Sequence, residues 1–132
     1  MAGSLELEVD TPERQLVREQ VEDVQLPGLD GYMGILPGHA PLVGQLGTGF
    51  LTFMSGSKRR YLAVDGGFLE VREDHVRVLA DSAQAAEDID VNRARAELKE
   101  AQDRLAKPDG DPAAALHEVA RAQARVEVAE KK

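Results

Sequence analysis

Apolar and polar residues alternate in short runs over residues 1–85. Leu5, Leu7 and Val9 are separated by glutamates, which is the spacing of a strand with one buried face. Many short strands at close spacing predict an antiparallel β-sandwich or barrel. The further candidate strands are residues 21–26, the run with Leu51 and Phe53, residues 61–64 in either phase, and the run with Val76 and Val78.

Turn-forming residues punctuate this strand series. Gly allows backbone angles that are closed to other residues, and Pro denies a ladder hydrogen bond, so both favour turns. We expect no helix of useful length before residue 82. The turn signals are Pro27–Gly28, Pro37–Gly38, Ser55–Gly56–Ser57, Asp65–Gly66–Gly67 and Glu73–Asp74.

Residues 86–132 show the spacing of two amphipathic helices instead. We predict helices over about 91–106 and 112–130, with Asp90 and Asp111 as N-caps. The residues Lys107–Pro108–Asp109–Gly110 end the first helix, so the pair forms an antiparallel hairpin. Its small side chains predict an interface that detaches at low energetic cost. The two stripes are Val91, Ala94, Leu98, Ala101 and Leu105, then Ala115, Val119, Ala122, Val126 and Ala129.

The composition changes at the same place along the chain. All five aromatic residues and eleven of the twelve glycines lie in residues 1–85, whereas residues 86–132 contain twelve alanines. Residues 1–85 carry a net charge of −6 and residues 86–132 carry −2, out of −8 in total. We therefore predict a β-sandwich domain over 1–85 and a helical hairpin over 86–132.

The overall composition excludes several classes of function. An acidic balance argues against a nucleic-acid backbone as the main partner. The absence of Cys removes disulfides, thiolate nucleophiles and Cys-ligated metals. No apolar run approaches the roughly 20 residues that span a bilayer. Residues 1–4 lack a basic and apolar signal region, so export is not expected.

The sequence shows no catalytic constellation. His39, His75 and His117 lie far apart without metal-ligand spacing, which favours ordinary surface or packing roles. Ser55 and Ser57 lack a nucleophile-elbow sequence, and no carboxylate pair has a spacing typical of acid–base work. We predict neither catalytic nor metal-ligating residues.

Two other features are candidate binding sites. Residues 28–42 combine glycines with two prolines, which is typical of an elaborate loop between sheets or of a docking loop that presents Leu29, Tyr32 and Met33. Arg121 and Arg125 lie four residues apart on the second predicted helix. They form either a solvated cationic end or a site for an acidic protein segment or a nucleotide phosphate.

Three motifs resemble the epsilon subunit of bacterial F-type ATP synthases. Their order and spacing match, as does the layout of a β part followed by a hairpin, and the resemblance covers nearly the whole chain. It implies a flattened ten-stranded β-sandwich followed by an antiparallel two-helix hairpin. The motifs are Gly34–Ile35–Leu36–Pro37–Gly38–His39–Ala40–Pro41–Leu42, Val64–Asp65–Gly66–Gly67–Phe68–Leu69–Glu70–Val71 and Val78–Leu79–Ala80–Asp81.

The resemblance also implies a function. It implies a non-catalytic rotor subunit in the central stalk, peripheral at the cytoplasmic face of the bacterial plasma membrane, which meets the membrane only through the complex. The β-sandwich would couple the gamma subunit to the c-ring of a proton-translocating enzyme. The hairpin would inhibit ATP hydrolysis by extending into the alpha/beta catalytic head. No cofactor would be required.

The resemblance assigns residues to these contacts. Arg121 and Arg125 match basic residues that meet an acidic segment of the catalytic beta subunit. The residues matching the surface that faces the c-ring and gamma are Leu29, Asp30, Gly31, Tyr32, Met33 and His39.

Some members of this family also bind regulatory ATP on the folded hairpin. Their motif Ile/Leu-Asp-x-x-Arg-Ala is present as Ile89–Asp90–Val91–Asn92–Arg93–Ala94. Three departures weaken this expectation, because Gln84 replaces an acidic residue and Glu100 and Ala114 replace arginines. Each lost charge-assisted hydrogen bond is worth roughly 1.5–3 kcal/mol. The candidate ATP-binding residues are Ile89, Asp90, Arg93, Ala94, Arg121 and Arg125.

Two alternative classes of function remain. A stand-alone ATP-sensing module of β-sandwich and helical hairpin would need tight nucleotide binding by the free chain, which the three departures disfavour. A small hydrolase on a β-sandwich would need a clustered nucleophile and base, and the sequence supplies no such cluster.

Overall fold

The structure is a computed structural model that describes residues 3–107 and 109–132; Met1, Ala2 and Pro108 of the predicted helix stop lie outside the described residues. Within these ranges, eight strands precede two helices. The strands are β1 Leu5–Asp10, β2 Gln15–Val21, β3 Val24–Gly28, β4 Gly31–Ile35, β5 Leu42–Gln45, β6 Thr48–Ser55, β7 Lys58–Arg72 and β8 His75–Ala85. A 3-10 turn, Ala86–Asp88, leads to the helices α1 Val91–Leu105 and α2 Pro112–Ala129.

The strands form one continuous hydrogen-bonded sheet that folds over into two layers. Its order is β2-β1-β8-β7-β6-β3-β4, and β5 pairs with the far end of β7. The first part of β7, up to Asp65, pairs with β6, and the part from Phe68 pairs with β5. The first part of β8 pairs with β1, whereas its last residues continue along the first part of β7. Both long strands therefore pass from one layer into the other.

The β-sandwich followed by a helical hairpin is confirmed, but the expected number of ten strands is wrong. The layers are built from more segments than there are strands, because β7 and β8 each supply a segment to both layers. The crossing in β7 depends on Gly66 and Gly67, whose φ angles are 71° and 121°. A Cβ on Gly67 would collide with the carbonyl oxygen of Leu79. The predicted turn Asp65–Gly66–Gly67 is therefore a bend inside β7.

Two other predicted boundaries differ from the structure. Residues 21–26 include the end of β2 and the start of β3, because Glu22 and Asp23 leave the ladder. The Glu22 amide donates to the Met54 carbonyl at 3.1 Å, and Asp23 binds the Arg59 guanidinium at 2.7 Å. The predicted turn Pro27–Gly28 belongs to β3, and the turn itself falls two residues later, at Leu29–Asp30.

The inner faces of the two layers meet in one apolar core. The alternation in β1 predicts its buried face correctly, since Leu5, Leu7 and Val9 are fully buried. In residues 61–64, both alternating sets of side chains include a buried residue. Leu62 belongs to the sandwich core and Ala63 packs under the hairpin, which explains why the pattern fitted either phase.

Both helices begin at the predicted caps. The Asp90 carboxylate accepts hydrogen bonds from the amides of Asn92 at 3.0 Å and Arg93 at 3.1 Å, and Asp111 accepts from Ala113 at 3.0 Å. These bonds satisfy amides that a first helical turn leaves without a partner. The helices pack against each other, and α2 also lies on β6 and β7.

A second apolar cluster lies between the hairpin and the sheet. Its buried members are Ala63, Ala86, Ile89, Ala94, Val126, Val128 and Ala129. Ala124 and Val128 are buried outside the predicted stripe, because α2 contacts α1 on one side and the sheet on another. The hairpin is thus docked on the sandwich mainly through small side chains. Neither α1 nor α2, nor any other helix in the described ranges, combines the length and apolarity of a membrane span.

Candidate functional site

The β3–β4 hairpin places the predicted docking turn at the edge of the sandwich. Leu29 and Asp30 form its two-residue tip, and Leu29 exposes 66% of its surface. Gly31 has a φ of 139°, a conformation that L side chains rarely adopt. The turn therefore presents a large apolar side chain on a short connection with little freedom.

Tyr32 and Met33 differ in their availability to a partner. The Tyr32 ring is partly exposed, while its hydroxyl accepts a hydrogen bond from the Phe50 amide at 3.1 Å. Its centroid lies 4.8 Å from that of Phe50. Met33 is half-buried and packs against the sandwich core, so it presents less surface to a partner than Leu29 or Tyr32 does. Leu29 and Tyr32 supply the exposed apolar surface.

His39 lies in the loop between β4 and β5, and its side chain is exposed. Its Nδ1 donates to the Ala40 carbonyl at 2.6 Å, and its amide donates to the Leu36 carbonyl at 3.1 Å. The Gly38 amide donates to the Asp74 carboxylate at 2.7 Å, which fixes the loop to the β7–β8 turn. His39 is thus held at the surface close to the start of β5.

Three exposed apolar side chains form a surface that the sequence pattern did not single out. Phe68 and Leu79 are paired across β7 and β8, and Val43 on β5 lies diagonally beside Phe68 on the same face. Phe68 exposes 58% of its surface and Val43 exposes 76%. A signal was present, since Phe68 and Leu79 have the opposite phase to buried Leu69 and Val78. These three residues are called the outer patch below.

Asp65, at the bend of β7, is the centre of the polar contact between the sandwich and α2. Its Oδ1 accepts from the Thr48 hydroxyl at 2.6 Å and from His117 Nε2 at 2.7 Å, and Arg121 Nε lies 3.7 Å from its Oδ2. Burial raises the pKa of Asp65. The hydrogen bonds from His117 and Thr48 and the charges of His117 and Arg121 outweigh burial, so the pKa is lowered from its ordinary value.

Arg125 fastens α2 to α1 and to β8. Its guanidinium pairs with Glu97 and donates to Gln84 Oε1 at 3.1 Å, and Gln84 in turn donates to the Asp88 carbonyl at 3.0 Å. Exposed ion pairs contribute only about 0–1 kcal/mol each, so such contacts orient the hairpin more than they stabilise it. The other ion pairs between the helices or their ends are Arg104–Glu118 at 2.8 Å and Arg95–Glu130 at 2.9 Å.

A cavity of about 410 Å³ lies between the sandwich and α2. Arg14, Arg121 and Arg125 line it together with the carboxylates of Asp65 and Asp88. Arg14 pairs with Asp88 at 3.6 Å. The cavity therefore gathers three guanidinium groups whose charges are already balanced in part by the protein's own carboxylates.

The six candidate ATP-binding residues are not gathered around this cavity. Ile89 and Ala94 are buried between the hairpin and the sheet, and Asp90 serves as the cap of α1. Arg93 is exposed and pairs with Glu97 at 3.2 Å. Of the six, Arg121 and Arg125 are the ones among the cavity's described lining.

Comparison with known families gives matches to both parts of the chain. Residues 4–86 match the model for the β-sandwich domain of the ATP synthase delta/epsilon chain. Residues 87–130 match the model for the long α-helix domain of the same chain.

Individual relatives carry the same description. The ATP synthase epsilon chain of Solibacter usitatus is 58% identical, and the match covers 100% of both chains. The epsilon chain of Carboxydothermus hydrogenoformans is 47% identical over 81% of this chain and 80% of the relative.

Solved structures of ATP synthases contain similar chains. One is in the OSCP/F1/c-ring structure of the Euglena gracilis mitochondrial ATP synthase, with a TM-score of 0.82 and 25% identity over 96% of this chain and 81% of that one. A chain of the Tetrahymena thermophila mitochondrial enzyme shares the fold, with a TM-score of 0.59 and 14% identity over 98% of this chain and 96% of that one.

We predict that Asp65→Asn destabilises the folded chain at neutral pH and that the effect fades in acid. The lowered pKa means that the ionised carboxylate stabilises the folded state above the ordinary value of 3.8, and this contribution is lost as the pH falls through the lowered pKa. Urea unfolding from about pH 7 to about pH 3 should show a difference from wild type that shrinks with acidity. Asp30→Asn at the exposed turn is the control. A difference of constant size at every pH contradicts the prediction.

Proposed function

The chain belongs to the ATP synthase delta/epsilon chain family, and we propose that it is the rotor subunit that couples gamma to the c-ring and restrains ATP hydrolysis. It is a non-catalytic subunit of that enzyme. One observation supports the coupling and inhibitory roles. The β-sandwich has an exposed apolar patch, and it also carries a hairpin that is docked through a separate cluster of mainly small side chains.

We assign the outer patch and the neighbouring His39 loop to the gamma subunit. Exposed aromatic and aliphatic side chains on a flat sheet face suit a protein interface better than they suit water. The Leu29–Asp30 turn, at the β3–β4 end of the sheet order, is assigned to the c-ring. The similar Euglena chain comes from an assembly described as containing F1 and the c-ring, which supports partners of this kind.

Phe68→Glu should weaken binding to purified gamma by about tenfold or more, because an aromatic side chain at the centre of an interface contributes a large share of the binding free energy. Isothermal titration measures the effect. Leu116→Glu is a matched control, since Leu116 is also 58% exposed but lies on α2. If the two variants bind gamma with equal affinity, the outer patch is not part of the gamma contact.

The helical hairpin is proposed as the inhibitory arm. Apart from Ile89, the fully buried residues under it are Ala and Val, which contribute little apolar area each, and the larger Phe50 and Tyr61 are only partly buried there. The sandwich core is a separate cluster and does not depend on them. When the hairpin leaves the sandwich, Arg121 loses Asp65 and Arg125 loses Gln84, whereas the Arg125–Glu97 pair moves with the hairpin. Acidic side chains of the catalytic beta subunit would then replace the contacts to Asp65 and Gln84.

Deletion of residues 87–132 should raise ATP hydrolysis by the assembled enzyme severalfold while assembly stays intact. The arm is then missing, but the sandwich core and the outer patch remain. The measurement is the hydrolysis rate per assembled complex. A chain that lacks only residues 130–132 is the control and should behave as wild type. Unchanged hydrolysis after the full deletion would contradict the inhibitory role.

We also propose ATP as a weak, optional ligand of the cavity under α2. The supporting observation is that Arg14, Arg121 and Arg125 line one cavity of about 410 Å³. Phosphates would have to displace Glu97 from Arg125 and Asp65 from Arg121, so the docked hairpin holds its arginines without nucleotide. No cofactor is needed for the coupling role.

Glu97→Gln should tighten ATP binding by about tenfold, because it removes the carboxylate that competes for Arg125 and one such hydrogen bond is worth roughly 1.5–3 kcal/mol. Calorimetric titration with ATP and Mg²⁺ measures this. Asp103→Asn makes the same charge change on α1 and is the control. The absence of heat from both wild type and Glu97→Gln at millimolar nucleotide would end the proposal.

The proposed location is the cytoplasmic face of a bacterial plasma membrane, where the chain is held through gamma and the c-ring of a proton-translocating enzyme. The epsilon chains of Solibacter usitatus and Carboxydothermus hydrogenoformans, both bacterial, support this placement. A stand-alone ATP-sensing module is not favoured, since both domains match one ATP synthase family.

A further inference from the structure

The contact between α2 and the sandwich contains a titratable side chain at its centre. His117 lies on α2, and its Nε2 donates to Asp65 Oδ1 on β7 at 2.7 Å. The two residues are 52 positions apart, so this bond exists only while the hairpin is docked. The carboxylate is largely buried, with 16% of the Asp65 side chain exposed, whereas 59% of the His117 side chain is exposed.

Asp65 is fixed before His117 reaches it. The Thr48 hydroxyl donates to the same carboxylate oxygen at 2.6 Å from β6, within the sandwich. The adjacent bend at Gly66 and Gly67 sets the direction of the chain at this point. Undocking the hairpin thus leaves an oriented carboxylate that keeps Thr48 but has lost His117 and Arg121. A preorganised acceptor of this kind distinguishes strongly between a neutral and a charged donor.

Acidic side chains of the sandwich lie near the imidazole of His117. Asp65 of β7 and Asp81 of β8 line one cavity with His117, together with the neutral Thr48 of β6. The opposing charge is Arg121, one helical turn further along α2, whose Nε lies 3.7 Å from Asp65 Oδ2. Two carboxylates from the sandwich therefore face one histidine and one arginine from α2.

We propose that His117 and Asp65 form a proton-dependent latch, which holds α2 on the sandwich more tightly when the imidazole is protonated. A neutral ring still donates one hydrogen bond, so the latch loosens at alkaline pH but does not open fully. Arg121 keeps its charge at every relevant pH and provides the residual attraction. The latch goes beyond the rotor and inhibitor roles proposed above, and it is a property of the free chain.

The linkage has a definite sign. Protonation and docking favour each other because the charged donor binds a carboxylate more strongly than the neutral donor does. Histidine is the side chain whose ordinary change of charge lies nearest to neutral pH, so docking is compared at pH 6 and pH 8. Carboxylates stay ionised over that range, which separates this latch from the loss of Asp65 charge in strong acid.

Amide hydrogen exchange of the full chain, followed by mass spectrometry, tests the latch. The opening equilibrium of α2 peptides, corrected for the intrinsic exchange rate, should be about two- to fivefold smaller at pH 6 than at pH 8. We define the α2 ratio as the opening equilibrium at pH 8 divided by that at pH 6. His117→Gln keeps a hydrogen-bond donor but cannot titrate, so its α2 ratio should be close to one. His39→Gln, which alters an exposed loop away from α2, should keep the wild-type ratio.

Asp65→Asn provides an independent test of the partner. The substitution removes the negative charge, while the carboxamide oxygen of the new side chain still accepts hydrogen bonds. The α2 ratio should therefore fall to about one, as in His117→Gln. Peptides from β1 and β8 report on His75, another histidine beside a carboxylate, which lies 3.5 Å from Glu6. A wild-type ratio of one, or a pH effect that survives in either His117→Gln or Asp65→Asn, overturns the proposal.

Discussion

The bend of β7 at Gly66 and Gly67 is the constraint on which the rest of the molecule depends. Positive φ angles let the strand leave one layer and continue in the other, and the Leu79 carbonyl leaves no room for a side chain at Gly67. Asp65 immediately before the bend faces α2, whereas Phe68 immediately after it belongs to the outer patch. One short segment of backbone thereby positions both the contact that holds the hairpin and the surface offered to another subunit.

The sandwich and the hairpin are stabilised by different kinds of interaction. The sandwich is held by a continuous ladder and by large buried side chains such as Phe53 and Leu51. The hairpin is held mainly by Ala and Val contacts, with Ile89 and partly buried aromatic side chains of the sheet, and by partly exposed ion pairs that are each weak. Because the two apolar clusters are separate, the second can be given up while the first remains. This division suits a rigid rotor part with a movable arm.

Local patterns predicted the elements better than they predicted the surfaces. Strand alternation identified the buried face of β1, and the capping roles of Asp90 and Asp111 followed from side-chain chemistry alone. Local patterns could not give the number of strands, because the pair Gly66–Gly67 is equally compatible with a turn between two strands and with a bend inside one strand. Of the candidate site, the motif at Ile89 supplies a buried side chain and a helix cap that the sequence pattern shows. The contact of His117 depends on Asp65, which lies opposite it only in the fold.

The parallel pairing of β1 with β8 has a consequence for the order of events during synthesis. The first strand of the sandwich pairs with β2 on one side and with the last strand on the other, so the sheet stays incomplete until β8 has left the ribosome. Such long-range pairing is slow compared with helix formation, and domains generally fold as units in chain order. The helices are synthesised after every strand of the sandwich. The surface on which the arm docks is therefore complete only once β8 has paired.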